Sequence, residues 1–289
     1  MQRLIILAFI GFVAQLIDGS LGMAYGVTST SLLLMFGIAP AVASASVHIA
    51  EVVTTAAAGV SHWKFGNIDK IVVKRLMIPG SIGAFTGACF LSSLKGEAVK
   101  PFISAFLFLL GFYVIYRFLF MGSVRKKHTG KPGTWAIPLG LFAGFFDSTG
   151  GGGWGPLTTP VLLSHKGMEA RKVIGSVDTS EFAIAVSASL GFLISLGFQD
   201  IDWLWVGVLM IGGIVAAPIA AWFVRVIPSY LLGVLVGGLI ITTNTQTLLS
   251  TVDIIPEIWH YAVYGSLSVF WLSCLAWAIR KKKSERDKS

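Results

Sequence analysis

Apolar runs recur from Leu4 to Ile279 with almost nothing polar between them, and this continuity decides which solvent the chain folds in. Hydrophobic residues make up 55% of the chain and charged residues 12%, whereas a soluble globular protein carries roughly 25% charged residues. The sequence therefore predicts an all-α polytopic membrane protein. Its 289 residues leave room for about ten spans of roughly 20 residues with short loops. The longest clearly polar stretch is the tail Arg280–Ser289, so no soluble domain fits. The opening "MQRLIILAFIGFVAQLIDG" has no good small-residue cleavage site before Asp18 and reads as mature sequence. Cys89 and Cys274 lie within apolar runs and read as packing residues, implying neither a disulfide nor a metal site. The net charge of +8 reflects basic loops at one membrane face rather than a nucleic-acid partner.

The spans fall into a pattern. Two short apolar pieces come first, Leu4–Ile17 and Gly22–Phe36, joined by "DGSL". Longer spans follow at Ala41–Ser61, Val72–Leu94 and Phe102–Phe120. Two short pieces return at Trp135–Phe146 and Trp154–Ser164, joined by "DSTGGGG". Longer spans then run at Val173–Leu196, Trp203–Val226, Tyr230–Leu249 and Ile258–Ile279.

The residues themselves repeat. "GFVAQLIDGSLGMAYGVTST" (Gly11–Thr30) aligns with "GLFAGFFDSTGGGGWGPLTT" (Gly140–Thr159) at a constant offset of 129. Gly11 matches Gly140, Asp18 matches Asp147, Gly22 matches Gly151, Gly26 matches Gly155 and Thr30 matches Thr159. One inserted residue later, "SVHIAE" (Ser46–Glu51) matches "SVDTSE" (Ser176–Glu181), pairing His48 with Asp178 and Glu51 with Glu181. "LMIPGSIGA" (Leu76–Ala84) also resembles "LMIGGIVAA" (Leu209–Ala217). Ordered matches of Asp, Gly, Thr and Glu indicate a duplication. The expected organisation is repeat one at 1–124, a basic linker at 125–134, repeat two at 135–252, an additional C-terminal transmembrane helix at 253–280, and a basic tail at 281–289.

Basic residues set the orientation, because cytoplasmic loops collect Lys and Arg. Clusters stand at Lys64–Arg75, Arg125–Lys131, Lys166–Lys172, Arg225 and the tail. One topology puts all of them inside: an external N-terminus, an even number of crossings for each short pair, and a cytoplasmic C-terminus. Each repeat then crosses an odd number of times, so the two repeats are inverted. A helix of about thirteen residues rises about 20 Å, short of a hydrocarbon core of about 30 Å. The short pairs are therefore re-entrant hairpins, or tilted short spans with deep turns. Irregular backbone at that depth belongs where it is buried in protein or lines a cavity. Two such turns inserted from opposite sides would meet near the midplane, as in secondary transporters.

"GGGGWGPLTTP" is not a nucleotide loop, since it lacks the Lys and the preceding strand that a phosphate loop needs. Two readings remain. The glycines let helices pack closely, or they let an anion approach backbone N–H groups at the start of a half-helix, where the dipole favours negative charge. On the second reading the substrate-binding set is Gly22, Gly26, Thr28, Ser29 and Thr30 from repeat one, with Gly151, Gly152, Gly153, Gly155, Thr158 and Thr159 from repeat two.

These paired Gly-rich motifs, each followed by a small polar stretch, resemble the TauE/SafE sulfite exporter family, also called the toluene-sulfonate uptake permease family. The resemblance covers Leu4–Ile279 and is stronger at Gly150–Pro160. The first motif departs from the pattern, with Ser20, Met23 and Ala24 where members often have glycines and Ser31 where they often have Pro. The resemblance implies a multi-pass transporter of small sulfur-containing or organic anions such as sulfite or sulfonates. The departures weaken an assignment to sulfite itself.

Ionisable groups within the membrane are functional candidates by default. Asp18 and Asp147 precede the two turns and would cap the next half-helix, carry a proton, or both. His48 with Glu51, and Asp178 with Glu181, are spaced by three and share a helix face. They would carry protons for coupling or make interhelical hydrogen bonds. An acidic site repels an anion unless it is protonated, so proton–anion coupling is the natural partner chemistry. "TTNTQT" (Thr242–Thr247) is too polar to face lipid and would line the pathway or lie near its external mouth. His62 and Trp63 mark a cytoplasmic interface. An anion channel using the turns as a filter is the competing reading. An enzyme is disfavoured, because no H-E-x-x-H or G-x-S-x-G set occurs. The motifs call for no cofactor and name no oligomeric state.

Overall fold

The computed structural model describes residues 2–21, 23–64, 66–120, 133–164, 170–198, 201, 203–226, 229–251 and 256–286. Gly22, residues 125–132 of the basic linker, Lys166 and the last three residues of the tail lie outside the described residues. Eleven helices run through the described residues, with no strand among them. They are α1 (Gln2–Leu21), α2 (Tyr25–Met35), α3 (Pro40–Lys64), α4 (Lys70–Ser93), α5 (Gly96–Phe120), α6 (Ala136–Gly150), α7 (Trp154–Ser164), α8 (Ala170–Leu196), α9 (Trp203–Val226), α10 (Ser229–Thr251) and α11 (Glu257–Arg286).

The chain is an all-α polytopic membrane protein. Among the described residues five helices contain segments long and apolar enough to cross a bilayer: Pro40–Lys64, Lys70–Ser93, Gly96–Phe120, Gly175–Leu196 and Trp259–Arg280. Large apolar side chains point outward along them, with Phe102 76% and Ile194 71% exposed. That is the distribution lipid favours and water opposes.

Several elements differ from the sequence expectation: α2 begins at Tyr25, α5 already at Gly96, and α11 runs to Arg286, through most of the expected basic tail. Helix α1 is 20 residues long rather than fourteen, because it continues through "DGSL". Helix α6 likewise continues through Asp147, Ser148 and Thr149 to Gly150. In both, the Asp lies in the last turn of its helix and serves the next one, so it does not break the helix that carries it. Of the turns proper, the described residues are 23–24 and 151–153. The helices after them, α2 and α7, are 11 residues each, a rise of about 16 Å.

The two halves interleave. Helix α1 packs on α9 and α6 on α4, while α3 lies on α8 and α5 on α10. The first helix of each half therefore leans on the fourth of the other, third pairs with third, and fifth with fifth. Single residues follow the same rule. Gly11 of α1 sits against the Leu209 carbonyl of α9, and Gly140 of α6 sits against the Leu76 carbonyl of α4. Gly11 and Gly140 are matched in the sequence repeat, as are Leu209 and Leu76. Small residues at these crossings let backbones approach where any side chain would intrude. Helix α11 stands outside this arrangement. It packs on α10 through Trp271, whose indole N–H donates to the Val234 carbonyl at 2.9 Å and whose ring fills the space beside Gly238.

Candidate functional site

The two Gly-rich turns meet. Thr30 of α2 donates its hydroxyl to the Gly151 carbonyl of the other half at 2.6 Å. A Cβ built on Gly26 would lie 2.7 Å from the Gly151 carbonyl oxygen and 3.0 Å from Oε1 of Glu51. A Cβ on Gly152 would run into the backbone of Gly26 and Val27. The backbone of each turn thus occupies the face that a side chain at the other would need. Gly151 has φ +68° and Gly152 φ +153°, conformations that L-residues rarely adopt. Gly153 has ordinary space around it, since a Cβ there would meet Leu157 only at 3.6 Å, and Gly155 is buried in α7. In this arrangement Gly26, Gly151 and Gly152 serve close backbone approach between the halves.

Each turn is spanned by its Asp. Asp18 Oδ1 accepts from the Tyr25 N–H at 3.3 Å, and Asp147 Oδ1 accepts from the Trp154 N–H at 2.7 Å. Both bonds cross seven residues and satisfy the first N–H of the short helix that follows. The residue directly before α2, Ala24, offers no side-chain cap and has the left-handed φ of +89°. The carboxylate reaching over the turn takes the cap's place, so that N–H is not free for a ligand.

Asp147 has a second partner. Its Oδ2 lies 3.1 Å from Nε2 of His48, and both side chains are sealed from solvent. Ser44, one helical turn before His48, orients the ring. The Ser44 carbonyl lies 2.8 Å from Nδ1, while the Ser44 hydroxyl donates to the Ser148 carbonyl at 2.5 Å. A carbonyl only accepts, so Nδ1 carries a hydrogen. The Nε2–Oδ2 contact then needs one further proton, on the imidazole or on the carboxyl. The pair holds a single proton between two buried atoms, as imidazolium–carboxylate or as imidazole–carboxylic acid.

The other half places different groups at the matched positions. Asp178 stands where the first half has His48. Its Oδ2 is 2.9 Å from Nε2 of His62. Glu51 and Glu181 lie near the centre: Glu181 is within electrostatic reach of Glu51, Asp18, Asp147 and Asp178. The structure thus brings Asp18, His48, Glu51 and Asp147 to the two turns, with Glu181 within electrostatic reach of them and Asp178 farther out, on His62.

Hydroxyls complete the surroundings. Thr28 Oγ1 and Thr159 Oγ1 are buried and have no hydrogen-bond partner among the described residues, Ser29 is buried as well, and Thr158 donates to the Trp154 carbonyl at 2.5 Å. The polar stretch of α10 reaches the same helix: Asn244 is fully buried and its amide donates to Ser31 Oγ at 2.8 Å. Trp154 pins α7 to α8, its indole N–H donating to the Val177 carbonyl and to Ser180 Oγ, each at 3.2 Å. Ser44 and His62 were not singled out for the site by the sequence. Ser44 carries a faint signal in its spacing of four before His48, and His62 carries none.

The sequence pattern of the family described as Sulfite exporter TauE/SafE matches residues 7–247. A Bacillus subtilis (strain 168) protein named "Probable membrane transporter protein YtnM" is 62% identical over 283 residues, covering 97% of this chain and 94% of that protein. A second protein of that organism, "Probable membrane transporter protein YdhB", is 24% identical over 183 residues, covering 62% of this chain and 73% of that protein. No solved structure matches significantly. With the repeat, the turns and this match over most of its length, the chain belongs to the TauE/SafE family.

Proposed function

We propose that this chain is a secondary transporter that moves a small, sulfur-containing oxyanion such as sulfite or an organosulfonate, coupled to protons. The names of its relatives support membrane transport. The observation that carries the finer reading is the junction of the turns. The buried hydroxyls of Thr28 and Thr159, without partners among the described residues, come one from each half. Asp147, which shares one proton with His48, caps the helix that carries Thr159. Hydroxyl donors suit an oxyanion, and a second proton taken up by the pair, giving imidazolium beside a carboxylic acid, would supply the anion with a neutralising charge and couple its binding to protons. On this reading the repeats are inverted in a cell (inner) membrane, with the N-terminus outside and the C-terminus cytoplasmic, and the junction lies near the midplane.

A thermal-shift screen of the purified protein against sulfite, sulfate, thiosulfate, sulfonates and carboxylates, run across pH, tests the reading. The expected result is a shift confined to a subset of oxyanions and larger at lower pH. The absence of any anion-specific shift counts against the site. Ohmic single-channel current in planar bilayers would instead assign the turns to a channel filter.

A further inference from the structure

We infer that the His62–Asp178 pair is the proton door of the buried carboxyl set, exchanging protons between solvent at the basic end of α3 and the junction of the turns. The inference rests on the proton-coupled reading above and names a residue that the site motifs do not contain. Its basis is geometric. Nε2 of His62 lies 2.9 Å from Oδ2 of Asp178, and the two side chains are 24% and 15% exposed. At the sealed pair the values are 0% for His48 and 3% for Asp147. Exposure therefore falls from the end of α3 toward the junction.

Further carboxyls lie inward of the pair. Asp178 and Glu181 are three apart on α8 and share a face. Glu51 Oε1 stands at the junction, 3.0 Å from where a Cβ on Gly26 would lie, and Glu181 is within electrostatic reach of it. Among the described residues the other titratable groups at this end of the fold include Lys64 on α3, Asp69, Lys70, Lys74 and Arg75 at the start of α4, and Arg171 and Lys172 on α8. Asp69 is engaged as the cap of α4, accepting from the Ile71 and Val72 N–H groups at 2.9 and 3.3 Å. The lysines and arginines are too basic to relay protons near neutrality, which leaves His62 as the group among these suited to exchange.

The transfer balances simply. His62 takes a proton from solvent to become imidazolium, then gives the proton on Nε2 to Oδ2 of Asp178. This leaves a neutral imidazole and a neutral carboxylic acid, and reversal returns the proton. Nδ1 of His62 is buried beside Gly175 without a partner among the described residues, and a Cβ there would come within 2.9 Å of it. The ring is thus held at Nε2 alone, unlike His48, whose Nδ1 is fixed by Ser44. Exchange with solvent requires the His62 ring to turn, which one hydrogen bond opposes less than the two that hold His48.

Hydrogen–deuterium exchange of the protonated carboxyl stretch, followed by infrared spectroscopy on the full chain in lipid vesicles, tests the inference. Asp178→Asn identifies the band. His62→Gln is expected to slow exchange about tenfold or more at about pH 6, with free imidazole in the buffer restoring the rate. Lys64→Gln is expected to leave it unchanged. Exchange as fast in His62→Gln as in the parent protein, or slowed exchange that imidazole does not rescue, overturns the inference; so does a parent protein with no exchanging carboxyl band. Counterflow of labelled sulfite in the same vesicles tests the anion reading separately and leaves the exchange result standing.

Discussion

The two halves share a backbone plan and differ at the positions that matter for chemistry. In one centre, Asp147 caps α7 with one oxygen and binds His48 with the other, sealed from solvent. In the matched centre, Asp18 makes the same seven-residue cap to Tyr25 with a longer bond, but the His48 position holds Asp178. A histidine–acid pair can take up protons until it is net positive, and a pair of acids cannot. The duplication kept the cap and changed the partner, which separates scaffold from function: what both halves retain builds the turn, and what only one has tunes its charge.

The largest expected effect contrasts Gly152 with its mate Met23. Gly152→Leu drives a side chain into the Gly26–Val27 backbone from a left-handed φ and is expected to cost about 3 kcal/mol or more. Met23→Leu, buried but not glycine-restricted, is expected to cost less than about 1.5 kcal/mol. Thermal melting of the two variants in detergent decides it; equal losses would mean the turns are equivalent after all. Because Gly152→Leu acts on folding, loss of transport in that variant says nothing about an anion site.

Next in size are the aspartates. Asp147→Ala leaves Nε2 of His48 and the Trp154 N–H unpartnered, for an expected loss of about 3–5 kcal/mol. Asp18→Ala removes chiefly a cap, at about 1 kcal/mol. Asp147→Asn sharpens the contrast, since an amide still accepts from Trp154 and donates to Nε2. Most of the stability should return while the exchangeable proton does not. Similar melting temperatures for Asp147→Ala and Asp18→Ala would break the comparison.

A smaller contrast separates the matched threonines. Thr30→Val removes the hydroxyl bonded to Gly151 and is expected to cost about 1 kcal/mol. Thr159→Val removes an unpartnered buried hydroxyl and is expected to be neutral or stabilising by up to about 1 kcal/mol. On the proposed function it weakens the thermal shift given by an active oxyanion. The smallest effect belongs to Ala24. Ala24→Gly relieves a left-handed alanine, about 1 kcal/mol, and gives up one buried methyl of similar worth, for a net change below about 1 kcal/mol. A larger shift in melting temperature would show that the first turn is more strained than its φ implies.

Much of this was legible in the chain. Helix ends at Trp154–Ser164 and Trp203–Val226 follow directly from where apolar runs stop. The matched Gly11/Gly140 and Leu76/Leu209 pairs became reciprocal crossings because a duplicated sequence packs by duplicated rules. The ends of α1 and α6 were harder to place. Asp, Gly and Ser look like helix breakers, yet here a carboxylate seven residues back caps the next helix and lets its own continue. The partners of the acids were least legible. His62 and Asp178 are 116 residues apart and His48 and Asp147 are 99 apart, and no local pattern announces a contact made by α3 against two different helices. The glycines misled in one respect: their spacing suits an anion cradle, but at Gly26 and Gly152 the neighbouring backbone already fills that space.

The most direct measurement is uptake of labelled sulfite, or of the oxyanion that the thermal-shift screen selects, into proteoliposomes that also carry a pH-sensitive dye. A proton-coupled carrier predicts saturable uptake driven by a proton gradient, with dye and label moving together in the parent protein and uncoupled in a folded Asp147→Asn. Uptake that ignores the proton gradient, or that stays coupled in Asp147→Asn, would contradict it.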